Sequence, residues 1–566
     1  MRPSTEFNLI VIGAGAGGMT AALIAAVLGM KVLLVEGSDK IGGTMAYSSG
    51  TAWIPGSQHQ AEPDASEDAA RALGYLDALV GDLADRKLRE AFIANGPKMI
   101  AFLQANTSVR FQAYSYHPDY RQELPGAASG GRPLDPLHFD GRLLGNKFDV
   151  IRWPMPELTL PGGMMVTRGE AARLLNGLTS WDSIKLGITL LSRLASDRLH
   201  YKRGTRLVLG NALAARLYKS LLDQKVTIIL NGRITRLIKT SGTVRGVVLA
   251  QNNTETSIFA CQGVILAGGG FAANREWREH YLPKPTAQYT PAYDGCNGET
   301  IKLALAAGGI IGPAASDNAL WFPCSIAQRK DGSTAVYPHI VLDRAKPGLI
   351  AVNSMGRRFT NEAASYHDFA HAMYATNQEG QSIPAALICD RRFLWKYGLG
   401  MIWPHSLSVK RYIQNGYLQA DHSLNGLAAK IGVDANNLAQ TVKTYNKFSK
   451  TGKDTEFGKG EDIYNRNNGD PLHQPNPCIG PIASAPYYSV RVFPLPVATS
   501  LGLKTDENAN VLDESSQPIE GLYACGNDMN SAFGGQYPGG GSQIGLAMTF
   551  AYIAATHAKH RQPLQR

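Results

Sequence analysis

The stretch NLIVIGAGAGGMTAALIAAVLGMKVLLVEG, residues 8–37, constrains the fold more than any other part of the chain. Four apolar residues, Leu9 to Ile12, predict a buried strand. Gly13, Gly15 and Gly18 then complete a GxGxxG turn. The first glycine turns the chain, the second lets a pyrophosphate approach the backbone, and the third lets helix and strand pack closely. A helix over 17–29 offers its N-terminal amides to phosphate oxygens. A second strand ends at Glu36, where a ribose hydroxyl needs an acceptor. A lone glycine fingerprint is weak, but strand, helix, strand and acid in register predict a dinucleotide site.

The next segment, KIGGTMAYSSGTAWIPG, adds another close-approach turn at Gly42 and Gly43. Thr44, Ser48, Ser49 and Gly50 supply small donors. A chain shaped in this way runs along an extended, permanently held cofactor. The pattern resembles the FAD-binding proteins of the fumarate reductase and succinate dehydrogenase flavoprotein superfamily. The expected fold class is therefore α/β, with a Rossmann-like FAD-binding domain built from discontinuous segments. An inserted α+β catalytic domain is expected over 291–480, leaving 1–290 and 481–566 for the first domain.

Other segments fit this plan. Residues 60–110 read as helical and polar on one side. YSYHPDYRQELPGAASGGRPLDPLHFDG cannot be a regular helix, because proline removes donors and restricts its neighbour. An ordered aromatic loop of this kind often lines a pocket. CQGVILAGGGFAANREW is a buried strand, Gly263–Ala267, ended by glycines. GSQIGLAMTFAYIAATHA is a closing helix whose N-terminus could stabilise negative charge.

Composition excludes several classes. Six cysteines lie far apart without a CxxC, so neither a disulfide framework nor a metal or iron–sulfur site is expected. A reducing, cytoplasmic setting fits. The N-terminus leads straight into the first strand rather than into a signal peptide. The formal charge of +10 would attract acidic partners, yet the basic residues form no long block and nucleic acid is not expected. SWDSIKLGITLLSRLASDRLHYKRG, residues 180–204, predicts an amphipathic helix with a basic end. Most such helices pack on a core; peripheral contact with a membrane surface is the alternative.

Further along, the chain resembles the 3-ketosteroid dehydrogenases, flavin enzymes that introduce a carbon–carbon double bond beside a ring ketone. The resemblance spans nearly the whole chain. The family's GSGxxG appears as GAGAGG, its YPDY as HPDY (His117–Tyr120), its NEAAPY as NEAASY (Asn361–Tyr366) and its YPGPG as YPGGG (Tyr537–Gly541). Two features are altered: Gly540 replaces a proline, and Leu501 replaces a glycine in ATSLGLKTD. These changes bear on which ketone is accepted.

By resemblance, Tyr537 and the Gly541 N–H would hold the ketone oxygen. Tyr366 would act as base, with Tyr120 hydrogen-bonded to it, although Tyr114 and Tyr116 stand nearby. The FAD-binding set implied is Gly13, Gly15, Gly18, Glu36, Gly43, Thr44, Ser49, Gly50, Ile234, Ala267, Gly268, Asn527, Asp528 and Ile544. The implied partners are a hydrophobic cyclic ketone and an external electron acceptor: quinone, oxygen or another carrier. Direct 3-ketosteroid 1,2-dehydrogenation leads; smaller cyclohexanone-like ketones are the first alternative.

The chemistry itself asks for such residues. Two donors aimed at a carbonyl oxygen stabilise a developing enolate without a metal. A free tyrosine has a pKa of about 10 and needs neighbours to lower it before it serves as a base. Without the resemblance Tyr366 would read as a core tyrosine, and His117 and His339 as ordinary loop histidines. A fumarate-reductase-like enzyme would need cationic donors for a dicarboxylate. Arg344 and Lys346 are the nearest candidates, but Ala345 holds the matching position. An inert flavin holder would have no use for the tyrosines.

Overall fold

The computed structural model describes residues 6–60, 64–114, 116–160, 162–175, 180–315, 317–329, 331–340 and 342–562. The opening residues 1–5, expected to lead into the first strand, lie outside the described residues. The chain forms two compact units: 1–281 with 292–319 and 498–566, and 282–291 with 320–497. Against the limits expected from composition, 292–319 fall in the first unit, and 282–290 and 481–497 in the second.

In the first unit, strand Glu6–Ile12 lies inside an eight-stranded sheet, parallel to Val32–Val35 on one side and Thr254–Leu266 on the other. Val32–Val35 pairs onward with Thr227–Ile229, and Thr254–Leu266 with Pro518–Ala524. Leu9, Val11, Leu33, Leu34, Val264, Leu266 and Leu522 are fully buried, as in a sheet covered on both faces, which explains the unbroken apolar runs. The leading half of Thr254–Leu266 pairs antiparallel with Thr243–Gln251, extending the sheet beyond the nucleotide-binding strands.

The first helix runs Ala16–Val27, two residues shorter at its end than expected, because Gly29 takes a left-handed φ of 82°. It packs on the closing helix Ser542–His560, so the two sequence ends share one layer. The stretch after residue 60 divides into Ala65–Val80 and Arg86–Asn106, each started by an aspartate whose side chain caps a backbone N–H.

The second unit is built on a six-stranded sheet in the order Thr334–Pro338, Ala319–Gln328, Tyr487–Thr499, Ala385–Asp390, Leu349–Val352, with Gln419–Asp421 beside Tyr487–Thr499. Alternation splits Leu349–Val352 and Ala385–Asp390 between two cores. Leu349 and Ala351 pack with Phe369 and Met373. Ile350 and Val352 face the opposite way, toward Leu427, Leu438 and Tyr445.

Candidate active site

The glycine turns leave one open position. At Gly13, where φ is +102°, a Cβ would stand 2.3 Å from the Ala267 carbonyl oxygen; at Gly18 it would stand 1.8 Å from the Gly13 oxygen. At Gly15, the N-cap of the first helix, no atom lies within 4 Å of the Cβ position. The first and third glycines therefore serve packing, and the second faces space that a pyrophosphate can enter. Gly43 (φ +49°) would place a Cβ 3.3 Å from the Gly15 Cα, so the second glycine turn lies beside the first.

The buried Glu36 carboxylate accepts from the N–H groups of Ala14 (2.8 Å) and Ser38 (3.0 Å), which fixes it at the end of its strand. Thr44 Oγ1 accepts from the Tyr293 N–H at 3.0 Å, and the Ser49 and Thr51 hydroxyls are hydrogen-bonded at 2.9 Å. Gly50 (φ +69°) would drive a Cβ to 2.8 Å from Gly210. Ala267 and Gly268 end the long strand, and the Gly268 and Gly270 N–H groups donate to Asp528 at 2.6 and 2.9 Å. Burial pushes the Asp528 carboxyl above the usual range. Its oxygens tie down the glycine loop, a structural task beside the cofactor role expected of it. Asn527 and Ile544 are half-buried; Ile234 is buried on Arg233–Thr240, opposite Leu249. The open face at Gly15, the helix N-terminus and the placed acid fit an FAD.

In the same unit the aromatic loop and the C-terminal glycine loop meet. The rings of Tyr120 and Tyr537 lie 5.5 Å apart at 32°, and the Tyr120 N–H donates to the Pro538 oxygen at 3.0 Å. Tyr116 is 79% exposed and turns away, whereas Tyr120 is buried, so the geometry sets Tyr120 beside Tyr537. Gly541 caps the closing helix with φ +92°, and its carbonyl accepts from the Trp53 N–H at 3.1 Å. Its own N–H has no backbone acceptor among the described residues. A Cβ at Gly540 would stand 2.6 Å from His117 Nε2, so the histidine ring fills the space a side chain would take there. Burial, reinforced by the Arg168 charge, holds His117 down at about 3 and keeps it neutral at ordinary pH.

What fixes this loop is a buried ion network that no motif announces. Asp119 accepts from Trp53 Nε1 (2.8 Å), the Ala128 N–H (2.9 Å) and Arg132 (2.5 Å), and Arg132 also reaches Asp68 at 2.9 Å. Trp53 in turn lies where a Cβ on Gly539 would fall, 2.8 Å from Nε1. Asp119→Ala would leave Arg132 half-paired in the interior, a loss of about 3–5 kcal/mol. The expected result is a large drop in melting temperature, with Asp119→Asn less severe; thermal denaturation of the two variants checks it.

Tyr366 opens the helix Tyr366–Ala375 in the second unit, is 5% exposed, and packs edge-on against Phe322 at 4.5 Å. Ser365 caps the helix by accepting from the Asp368 N–H. The preceding residues are clamped. Glu362 pairs with Arg358 (2.7 Å) and Lys459 (3.4 Å), and Arg344 donates to the carbonyls of Glu362 and Ala364. Arg344 also donates to the carbonyls of His339 and Ile340, and Lys346 to that of Gly469. These cations hold backbone. His339 is buried between Asp343 (2.6 Å) and Ser325 (2.7 Å), within the interior of the same unit.

A parallel sheet carrying a glycine fingerprint at its strand ends, with a tyrosine pair on loops of the same unit, defines a flavin-dependent oxidoreductase. The model of the FAD binding domain family matches residues 8–544, and the chain belongs to that family. It is 36% identical to the 4-oxocyclohex-2-ene-1-carboxylate 5-dehydrogenase of Sinomonas cyclohexanicum, over 97% of this chain and 92% of that one. It is 33% identical to the 3-oxosteroid 1-dehydrogenase of Mycobacterium tuberculosis, over 98% of each. Among solved structures, 3-ketosteroid delta1-dehydrogenase from Sterolibacterium denitrificans, in complex with 1,4-androstadiene-3,17-dione, superimposes with a TM-score of 0.92 at 38% identity, covering 98% of this chain and 100% of that one. An open flavocytochrome c3 fumarate reductase shares the fold at 20% identity and a TM-score of 0.61, over 99% of this chain and 79% of that one.

Proposed function

We propose that the protein desaturates a cyclic ketone at the bond next to its carbonyl, with 3-ketosteroid 1,2-dehydrogenation as the leading reaction. The observation that carries this reading is the Tyr120–Tyr537 pair beside Gly541 at the head of the closing helix, in the unit that holds the dinucleotide cradle. The Tyr537 hydroxyl and the Gly541 N–H donate to the ketone oxygen and stabilise the enolate that forms as the α proton leaves. Tyr366 and Tyr120 keep the roles that the resemblance assigns them. Bound FAD supplies the hydride acceptor. The substrate thus loses one proton and one hydride, and an external carrier must reoxidise the cofactor.

A smaller alicyclic ketone is the second reading. It is favoured by the Sinomonas relatives, which include a 4-oxocyclohexanecarboxylate 2-dehydrogenase at 32% identity over 98% of this chain. Dicarboxylate reduction is disfavoured, since Arg344 is buried and committed to carbonyl groups. Peripheral membrane contact is supported by Trp181, Ile188 and Leu199, which are exposed along Trp181–Arg198 and its end.

The test is anaerobic bleaching of the purified yellow protein. A 3-ketosteroid or a cyclohexanone-type ketone should reduce the flavin, and fumarate should not reoxidise it. Reoxidation by fumarate, with no bleaching by any ketone, would sink the reading.

A further inference from the structure

The turn that follows Glu36 is gripped from outside by two residues that belong to no motif. Arg152 comes from the segment that runs beside Ile41: its N–H donates to the Ile41 oxygen at 2.9 Å, and Ile151 forms a β-bridge with Ile41. Tyr293 comes from 292–319, the stretch that returns to the first unit. Both side chains are half-buried, and they stack. The guanidinium carbon of Arg152 stands over the Tyr293 ring, 3.5 Å from its centre.

Each partner reaches a residue of the FAD cradle. Arg152 Nη2 donates to Ser38 Oγ at 2.9 Å and to the Lys40 carbonyl at 3.2 Å. It thereby takes a lone pair of the Ser38 hydroxyl, which has a single proton to give. That proton is left for Glu36 Oε1 at 3.0 Å or the Lys40 carbonyl at 2.7 Å. The Ser38 N–H meets the same Glu36 oxygen at 3.0 Å. Arg152 therefore acts on the acid of the fingerprint through Ser38. Tyr293 holds the other end of the turn, since its N–H donates to Thr44 Oγ1 at 3.0 Å. Between these ends lie Gly42 and Gly43, with φ of +112° and +49°. Glycine loses more freedom on folding than any other residue, so a turn built on two of them needs an outside frame to keep one shape. A planar guanidinium can stack on a ring and donate in its own plane at the same time, which an ammonium cannot do.

We propose that the Arg152–Tyr293 stack is a positioning clasp for FAD: it fixes Glu36 through Ser38 and the second glycine turn through Thr44, and retention of the cofactor depends on it. This rests on FAD binding and not on the ketone reading, so its failure leaves the assigned reaction untouched.

The test measures FAD release from the full-length holoenzyme, as the rise in flavin fluorescence after dilution, beside thermal denaturation of the same chains stripped of flavin. Tyr293→Phe keeps the ring and should release FAD within about twofold of the wild-type rate. Tyr293→Leu loses the stack and should release it roughly 3- to 30-fold faster. Arg152→Gln loses the charge, the stack and the bond to Ser38, and should release it roughly 10- to 100-fold faster. Arg152→Lys keeps the charge without the planar fork and should behave like Arg152→Gln rather than like the wild type. Because the two residues act as one unit, the double variant Arg152→Gln/Tyr293→Leu should release FAD no faster than Arg152→Gln alone. The flavin-free chains should all melt within about 2 °C of the wild type. Wild-type release rates in both Arg152→Gln and Tyr293→Leu overturn the clasp, and so do effects that multiply in the double variant. A flavin-free melting temperature that falls as far as that of the holoenzyme also overturns it, because the pair would then support the fold alone. Should Arg152→Gln fail to accumulate, the contrast between Tyr293→Leu and Tyr293→Phe decides the matter.

Discussion

Tyr537→Phe should lower kcat roughly 100- to 1,000-fold while the protein purifies yellow. The ring is the structural part of this side chain: it packs on Tyr120 at 5.5 Å, and phenylalanine keeps that contact. Only the hydroxyl is lost. One of two donors to an oxyanion contributes about 100- to 1,000-fold, and it does so in the transition state, where charge has moved onto oxygen. KM should therefore change little. Tyr366→Phe removes the proposed base rather than a donor, and its ring contact with Phe322 at 4.5 Å also survives. Its loss should likewise appear in kcat, and solvent exchange of the substrate α proton, which needs no hydride transfer, should fall with it. Wild-type turnover in both variants would show that the tyrosines are core residues and nothing more.

The parts of this molecule that were legible in the sequence are those where one residue type answers one steric demand. Gly13 and Gly18 were readable because any side chain would strike the main chain. The strands around them were readable because a sheet covered on both faces needs unbroken apolar runs, as in Leu9–Ile12 and Val32–Val35. The tyrosines came through motif resemblance, and geometry distinguishes the exposed Tyr116 from the buried Tyr120.

What stayed hidden depends on pairing across long separations. Trp53, Asp68, Asp119 and Arg132 form one network, yet each is an ordinary residue in its own local context. Residues 292–319 follow the first unit because strand ends and loops, not composition, decide where the chain crosses.

Gly15→Val should give a folded, colourless and inactive protein, in contrast to its two neighbours in the fingerprint. At Gly15 the backbone is extended, with φ −86° and ψ −162°, a conformation that valine adopts readily, and the Cβ would enter space with no atom within 4 Å. The apo fold has nothing to lose. An FAD pyrophosphate, however, needs that space to reach the helix amides, and a branched side chain fills it. Gly13→Val and Gly18→Val meet main-chain oxygen at 2.3 and 1.8 Å and should fail to accumulate as folded protein. The comparison separates packing from binding within a six-residue motif. It is read by circular dichroism and melting of each variant beside flavin absorbance after purification. The Gly15 variant should match the deflavinated wild type in melting temperature and show no flavin band. A yellow Gly15→Val protein with one FAD per chain would mean that the cofactor's phosphates lie elsewhere, and the cradle assigned to the first strand–helix turn would have to be abandoned.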